Sequence, residues 1–231
     1  MKSILLSFFL IVIVSSCSKN VKFSPEFIKE TSGRYLYNQD ELFEVYYDHN
    51  DLFLKWKGAS KIKPVVLDEN TFFVPDMYKK LRFVQDPKTK KRYLASVSEA
   101  DDNKVTYDYL KVDDTFKTPK MYLKDKEYDK AMVGYLDIQK QDSTSVLIDE
   151  RELNNLGFKF LNNKDYENAI SVFKINTALH SESETAYNSL GEAYERKKDS
   201  LEAFNTYKKL LELNSTNKHA KEFVDNYSKN H

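Results

Sequence analysis

ERELNNLGFKFLNNKDYENAISVFKINTALHSES, residues 150–183, and ETAYNSLGEAYERKKDSLEAFNTYKKLLELNSTN, residues 184–217, are two versions of one pattern. Leu153, Leu156, Gly157, Phe160, Ala169 and Phe173 of the first are answered by Tyr187, Leu190, Gly191, Tyr194, Ala203 and Tyr207 of the second, each pair 34 residues apart. Six matches in one register make the period a property of the chain, and a fixed period of this length is the mark of a stacked helical repeat.

The order large, large, Gly, aromatic, Ala, aromatic at a period of about 34 resembles the helix-turn-helix unit of the tetratricopeptide repeat. In a repeat of this kind the Gly lets two helices approach closely, the Ala sits at their crossing, and the large residues lock the pair. Leu156, Gly157, Phe160, Ala169, Phe173, Leu190, Gly191, Tyr194, Ala203 and Tyr207 are thus read as packing residues. Binding is expected on the other side of each first helix, where Asn154 and Phe158 are matched by Asn188 and Glu192, with Glu195 beyond them. An Asn amide both donates and accepts. It can clamp the backbone of an extended peptide, as Asn at this place does in related repeats; the plain alternative is a polar residue on a solvated face.

Outward from the two copies, Tyr128 to Gln139 carries Tyr128, Ala131, Met132, Tyr135 and Leu136 on one helical side. It reads as the second helix of a degenerate leading repeat. A last helix from about Lys218 to Tyr227 would cap the stack with Phe223, Val224 and Tyr227 turned inward. Two repeats alone are marginal, because about three stacked units are needed for stability.

Upstream of Val112 the apolar period falls to two and the turns shorten, which reads as antiparallel β structure. Strands are predicted at 34–37, 42–47, 52–56, 63–67, 71–74, 81–84, 93–97 and 104–112. Asp48-His49-Asn50-Asp51, Asp68-Glu69-Asn70, Asp86-Pro87-Lys88 and Asp101-Asp102-Asn103 separate them with side chains that bond their own backbone. This is the pattern of a small antiparallel barrel or sandwich. Its interior would be filled by Phe43, Phe53, Trp56, Phe72, Phe73, Phe83 and Tyr93, or leave room for one small ligand. The fold class is α+β, a β-barrel or sandwich followed by an all-α repeat domain. The boundaries read 1–16 signal peptide, 17–23 lipidated tether, 24–117 β domain, 118–149 leading helix and linker, and 150–231 two repeats with a capping helix.

The order Gly33-Arg34-Tyr35, Leu42-Phe43-Glu44-Val45, Leu52-Phe53-Leu54, Pro64-Val65-Val66, Thr71-Phe72-Phe73 and Leu81-Arg82-Phe83-Val84 is similar to the small β domain behind the catalytic domain of β-lactamase-like serine hydrolases of Bacteroidota. In those proteins repeats much like these follow it. The resemblance implies an accessory tail on its own lipid anchor, without the hydrolase domain.

The first residues, MKSILLSFFLIVIVSSCSKN, carry a basic residue at Lys2, an apolar run from Ile4 to Val14, and small residues before Cys17. That run is shorter than the roughly 20 residues of a membrane span. Val14-Ser15-Ser16-Cys17 resembles a bacterial lipobox, in which the chain is cut before a cysteine that is then lipidated. Cys17 is the one cysteine of the chain, so no disulfide or Cys-based metal site is available. Ser18 rather than Asp follows it, which in resembling lipoproteins implies an outer-membrane anchor facing the periplasm.

Thirty-six basic residues balance 36 acidic ones, with no long block of one sign, which argues against a nucleic-acid groove. No His-x-x-x-His or Glu-x-x-His pair seats a metal, and with five glycines there is no Gly-rich phosphate loop. Ser60-Lys61-Ile62-Lys63 and Ser171-Val172-Phe173-Lys174 satisfy Ser-x-x-Lys but lack the companion motifs of that chemistry. Asp142-Ser143-Thr144 and Asp199-Ser200-Leu201 fit a short O-glycosylation pattern of Bacteroidota. The sequence thus predicts a non-enzymatic, membrane-anchored lipoprotein. It would need no cofactor and would hold a protein partner, such as a cell-envelope complex or a hydrolase, through its repeats. The alternative is a carrier of a small ligand or peptide inside the β-barrel.

Overall fold

The computed structural model describes residues 21–98, 100–101 and 104–230, and Cys17 with its lipobox lies outside them. The chain forms two compact units, the first holding residues 21–35 and Leu42–Asp113, the second Leu36–Glu41 and Asp114–His231.

The first unit opens with helix α1 (Pro25–Thr31), inside a stretch read from the sequence as the start of the β domain. Its start signal is plain in hindsight: Ser24 Oγ accepts from Phe27 N at 3.1 Å, and Pro25 presets the first helical φ. The strands are β1 (Gly33–Asn38), β2 (Glu41–Asp48), β3 (Asp51–Trp56), β4 (Ala59–Ile62), β5 (Val65–Val66), β6 (Thr71–Val74), β7 (Lys79–Gln85), β8 (Arg92–Ser96) and β9 (Tyr109–Val112). His49 and Asn50, at φ 49° and 69°, make the tight turn between β2 and β3, and Lys57 and Gly58, at 47° and 86°, repeat it after β3.

The strand order β4-β3-β2-β1-β9-β8-β7-β6-β5 pairs every strand with its chain neighbour, and the first with the last, except that β4 and β5 form the two edges. A flat nine-stranded sheet would separate its edges by about 38 Å. Lys63 and Pro64, all that joins β4 to β5, span about 10 Å at most. The sheet must therefore curl. It stays an open half-barrel, which corrects the expectation of a closed barrel. A two-residue reversal needs positive φ, and Pro64 is fixed near −65° without an N–H to donate. The chain runs on from β4 into β5, and the strand predicted at 63–67 shrinks to two residues.

The strand predicted at 104–112 likewise begins only at Tyr109. Asp108 Oδ2 takes the Ser96 N–H at 2.6 Å, and Thr106 Oγ1 donates to the Ser96 carbonyl at 3.4 Å. Side chains there replace ladder bonds. Tyr35, Phe43, Phe72, Leu54, Leu81 and Leu94 are fully buried inside the sheet. Tyr35 stacks on Phe43 at 5.6 Å, Phe43 meets Tyr109 edge-on at 5.6 Å, and Phe27 of α1 meets Phe83 at 5.6 Å. The half-barrel is filled by its own rings.

The second unit contains α2 (Pro119–Lys124), α3 (Tyr128–Gln141), α4 (Glu150–Asn162), α5 (Tyr166–Leu179), α6 (Glu184–Lys197), α7 (Ser200–Leu213) and α8 (Lys218–Asn230). The helix predicted at 128–139 is α3, and α2, absent from the sequence reading, is its partner. The turns prove the equivalence of the three pairs. Lys126, Lys164 and Lys198 each sit in the left-handed region, at φ 62°, 61° and 68°. Each donates its N–H three residues back, to Leu123, Leu161 and Glu195, and the next N–H reaches five back, to Tyr122, Phe160 and Tyr194. The leading unit is thus a third repeat with a shortened first helix.

Each pair closes on a glycine. A Cβ on Gly157 would lie 2.3 Å from the Phe173 ring, and one on Gly191 2.4 Å from the Tyr207 ring. In the leading pair Gly134 faces Pro119 at 2.6 Å in the same sense. Ala169 and Ala203 are fully buried, as are Phe173 and Tyr207, whereas Phe160 and Leu156 are half-buried. Leu161, Phe173, Leu190, Tyr194, Tyr207 and Leu210 form one core, closed by Ala220 of α8 with Phe223 and Val224 against it. Tyr135, Ile138, Leu153, Val172 and Ile175 form another, which joins the leading pair to the next.

Candidate functional groove

Asn188, Glu192, Glu195 and Arg196 lie four, seven and eight residues along α6, and so share one face. With Tyr207 of α7 and His219 of α8 they line a cavity of about 390 Å³. Three consecutive helices therefore contribute to one groove, which holds three of the five residues expected there.

At its floor Tyr207 donates its hydroxyl to Glu195 Oε2 at 2.9 Å. His219 Nε2 lies 2.9 Å from the same oxygen and 3.2 Å from the Tyr207 hydroxyl, with the two rings edge to face at 5.3 Å. Burial first, and then the Glu195 carboxylate, push the Tyr207 phenol well above its ordinary pKa. It stays a neutral donor. At the rim Arg196 and Glu192 form an ion pair of 2.6 Å, both partly exposed. Asn188 makes no side-chain hydrogen bond among the described residues, and its donor and acceptor face the cavity unspent.

In the preceding repeat Asn154 and Phe158 lie outside that cavity lining. Asn154 Oδ1 is buried without a hydrogen-bond partner, as is Asn176 Oδ1 across the pair. Phe158 packs edge-on against Phe173 at 5.3 Å, so its ring belongs to the core as much as to the groove. Arg196 and His219 escaped the sequence reading. Arg196 was there to be found by carrying the Asn188 face one more turn. His219 stands 34 residues after Thr185, beyond the two quoted copies.

The Ser-x-x-Lys pairs are otherwise engaged. Lys63 binds Asp51 at 3.0 Å, Ser171 Oγ donates to the Glu167 carbonyl at 2.9 Å, and Lys174 lies over the Tyr194 ring at 5.9 Å. Among the described residues no group of three or more His, Cys, Asp or Glu is arranged to hold a metal, and no helix is long and apolar enough to cross a membrane.

The 34-residue period, the identical turns and the glycine-on-ring closures define the helical unit as a tetratricopeptide-type repeat following an antiparallel half-barrel. No family model matches the chain, and no curated protein matches it. Among solved structures the chain is similar to the first tetratricopeptide domain of Spaghetti (RPAP3) bound to an HSP90 peptide, at 23% identity over 48% of this chain and 85% of that one, TM-score 0.34. It is similar also to the Arabidopsis OM64 domain, at 22% identity over 48% and 88%, TM-score 0.33. The Sgt2 domain of Aspergillus fumigatus aligns at 19% identity over 48% and 73%, TM-score 0.34.

Proposed function

We propose that this protein is a lipid-anchored, non-enzymatic envelope protein that holds an extended segment of a partner protein in the groove of α6, α7 and α8. The carrying observation is the unspent amide of Asn188 in a cavity walled by Glu192, Glu195, Arg196, Tyr207 and His219. An amide that both donates and accepts grips a peptide backbone whatever its sequence. The adjacent Glu192–Arg196 pair can open toward either charge on the segment. The floor is fixed, because Glu195 is held from two sides. The filled half-barrel weighs against an interior ligand carrier.

The anchor rests on Cys17 and its lipobox, and the outer membrane, periplasmic side, is the assigned location. Both parts are testable together. Full-length protein labelled in cells with radioactive palmitate is expected to carry label and sediment with membranes, while Cys17→Ser loses both. Captured from those membranes in mild detergent, the protein should retain a near-stoichiometric partner that Asn188→Ala/Glu192→Ala loses. A partner held equally by the variant would refute the groove. An unlabelled, freely soluble protein would refute the anchor.

A further inference from the structure

The half-barrel carries a second concave surface, on its outside at the β5 edge. Val65 and Leu67, from β5 and its exit, face Phe73 of β6 and Tyr78 across a groove of about 680 Å³ floored by Val97. Three of these side chains are large, apolar and solvated: Val65 is 54% exposed, Leu67 43% and Tyr78 85%. Clustered exposure of this kind marks a binding surface, whereas scattered exposure does not. Tyr78 is also held there at a conformational cost. It takes φ 49° at the end of the short turn Pro75–Met77, where its N–H bonds the Pro75 carbonyl at 3.0 Å, and a bulky residue rarely adopts this region. The result is a ring standing out over the groove, edge-on to Phe73 at 6.0 Å.

The charge in the groove has one sign left over. Lys79 is half-buried in its lining and makes no ion pair or side-chain hydrogen bond among the described residues. The acid at the Ser96 end, Asp108, is already engaged by the Ser96 N–H and by Thr106 Oγ1 at 2.5 Å. A half-buried ammonium without a counter-charge, beside an apolar trough, is complementary to an anion carried on an apolar chain.

We propose that this groove binds a single-chain anionic amphiphile, a long-chain carboxylate. Its chain lies along Val65, Leu67, Phe73 and Val97 under the Tyr78 ring, and its carboxylate meets Lys79. The trough is concave and of the size of a small-molecule site, which fits one chain better than the plane of a bilayer.

The test is calorimetric titration of the full-length protein with straight-chain carboxylates of eight, ten and twelve carbons, below their micelle concentrations, beside the alcohols of equal length. Affinity is expected to rise about threefold to fourfold per added methylene. Each carboxylate should bind about tenfold more tightly than its alcohol. Lys79→Gln should erase that tenfold and leave the alcohols unchanged, while Leu67→Ser should weaken both series equally. Equal affinity for carboxylate and alcohol, affinity independent of chain length, or an unaffected Lys79→Gln variant would overturn the proposal. Sedimentation with anionic vesicles without binding of the monomeric carboxylates would overturn it in favour of a bilayer surface.

Discussion

The two ring-facing glycines set competing terms against each other. In a helix interior Ala is better than Gly by about 1 kcal/mol. At Gly191, however, the new methyl would sit 2.4 Å from a Tyr207 ring that is itself fully buried, so the ring cannot swing aside. Overpacking of this kind costs about 1–3 kcal/mol, so Gly191→Ala should lower the denaturation midpoint. An unchanged or raised midpoint would contradict the packing described. Lys198 is the converse case. A left-handed lysine ends α6 where glycine is free of strain, so Lys198→Gly should stabilise by up to about 1 kcal/mol in the same denaturant series. Asp40 is a buried carboxylate that accepts from Lys120 N at 2.6 Å and from the Tyr135 hydroxyl at 3.3 Å. Desolvation raises its pKa, against the opposing pull of those donors. Its contribution is therefore complete below the unfolded carboxylate value, near 4, and is lost as pH rises through the raised folded value. Asp40→Asn should gain stability relative to the native chain as pH rises through that window. Asp40→Ala should lose about 1–3 kcal/mol, because it orphans two donors. At this scale the sequence displayed which side chains are large and which are small. It did not display that Tyr207 would serve as both core ring and groove floor, because a period gives spacing and not where a hydroxyl ends.

Among elements, the turns were the most readable part and the strand ends the least. His49-Asn50 stands where a tight reversal was expected, because Asn tolerates positive φ. The 104–108 stretch alternates like a strand yet is tied down by Asp108 and Thr106, a competition between side chain and ladder that no pattern count resolves. The missed helices α1 and α2 share one signal, a hydroxyl residue followed by proline: Ser24-Pro25 and Thr118-Pro119. Helix α8 carries a prediction of its own. It lays Phe223 against Tyr207 at 5.1 Å and stacks Tyr227 on Phe204 at 4.6 Å, and so closes the open end of the repeat core. Phe223→Ala removes a half-buried ring and should cost about 2 kcal/mol, read by thermal or denaturant unfolding. A chain stopped after Asn217 should lose more, and should bind a hydrophobic dye as the α7 face is uncovered.

For the whole molecule, the division into a β unit and a helical unit was legible in the change of period near Val112. The membership of residues 36–41 in the helical unit was not, since it rests on Asp40 bonding the start of α2, 80 residues away. Both units bury tyrosines whose pKa values burial raises: Tyr35 and Tyr47 in the first, the latter to about 12, and Tyr135 and Tyr207 in the second. Groups raised in the folded state contribute fully below the unfolded phenol value of about 10 and lose that contribution as pH climbs through the folded value. Stability followed by circular dichroism should therefore fall steeply above about pH 10, with ionisation seen by absorbance lagging exposed tyrosine. The central claim concerns the groove, and site-specific photocrosslinking in living cells addresses it most directly. A photoreactive residue at Asn188 should yield one discrete adduct with a partner protein, while the same residue at Leu201, exposed on α7 and outside the cavity lining, should yield none. No adduct from position 188, or the same adducts from both positions, would contradict the account.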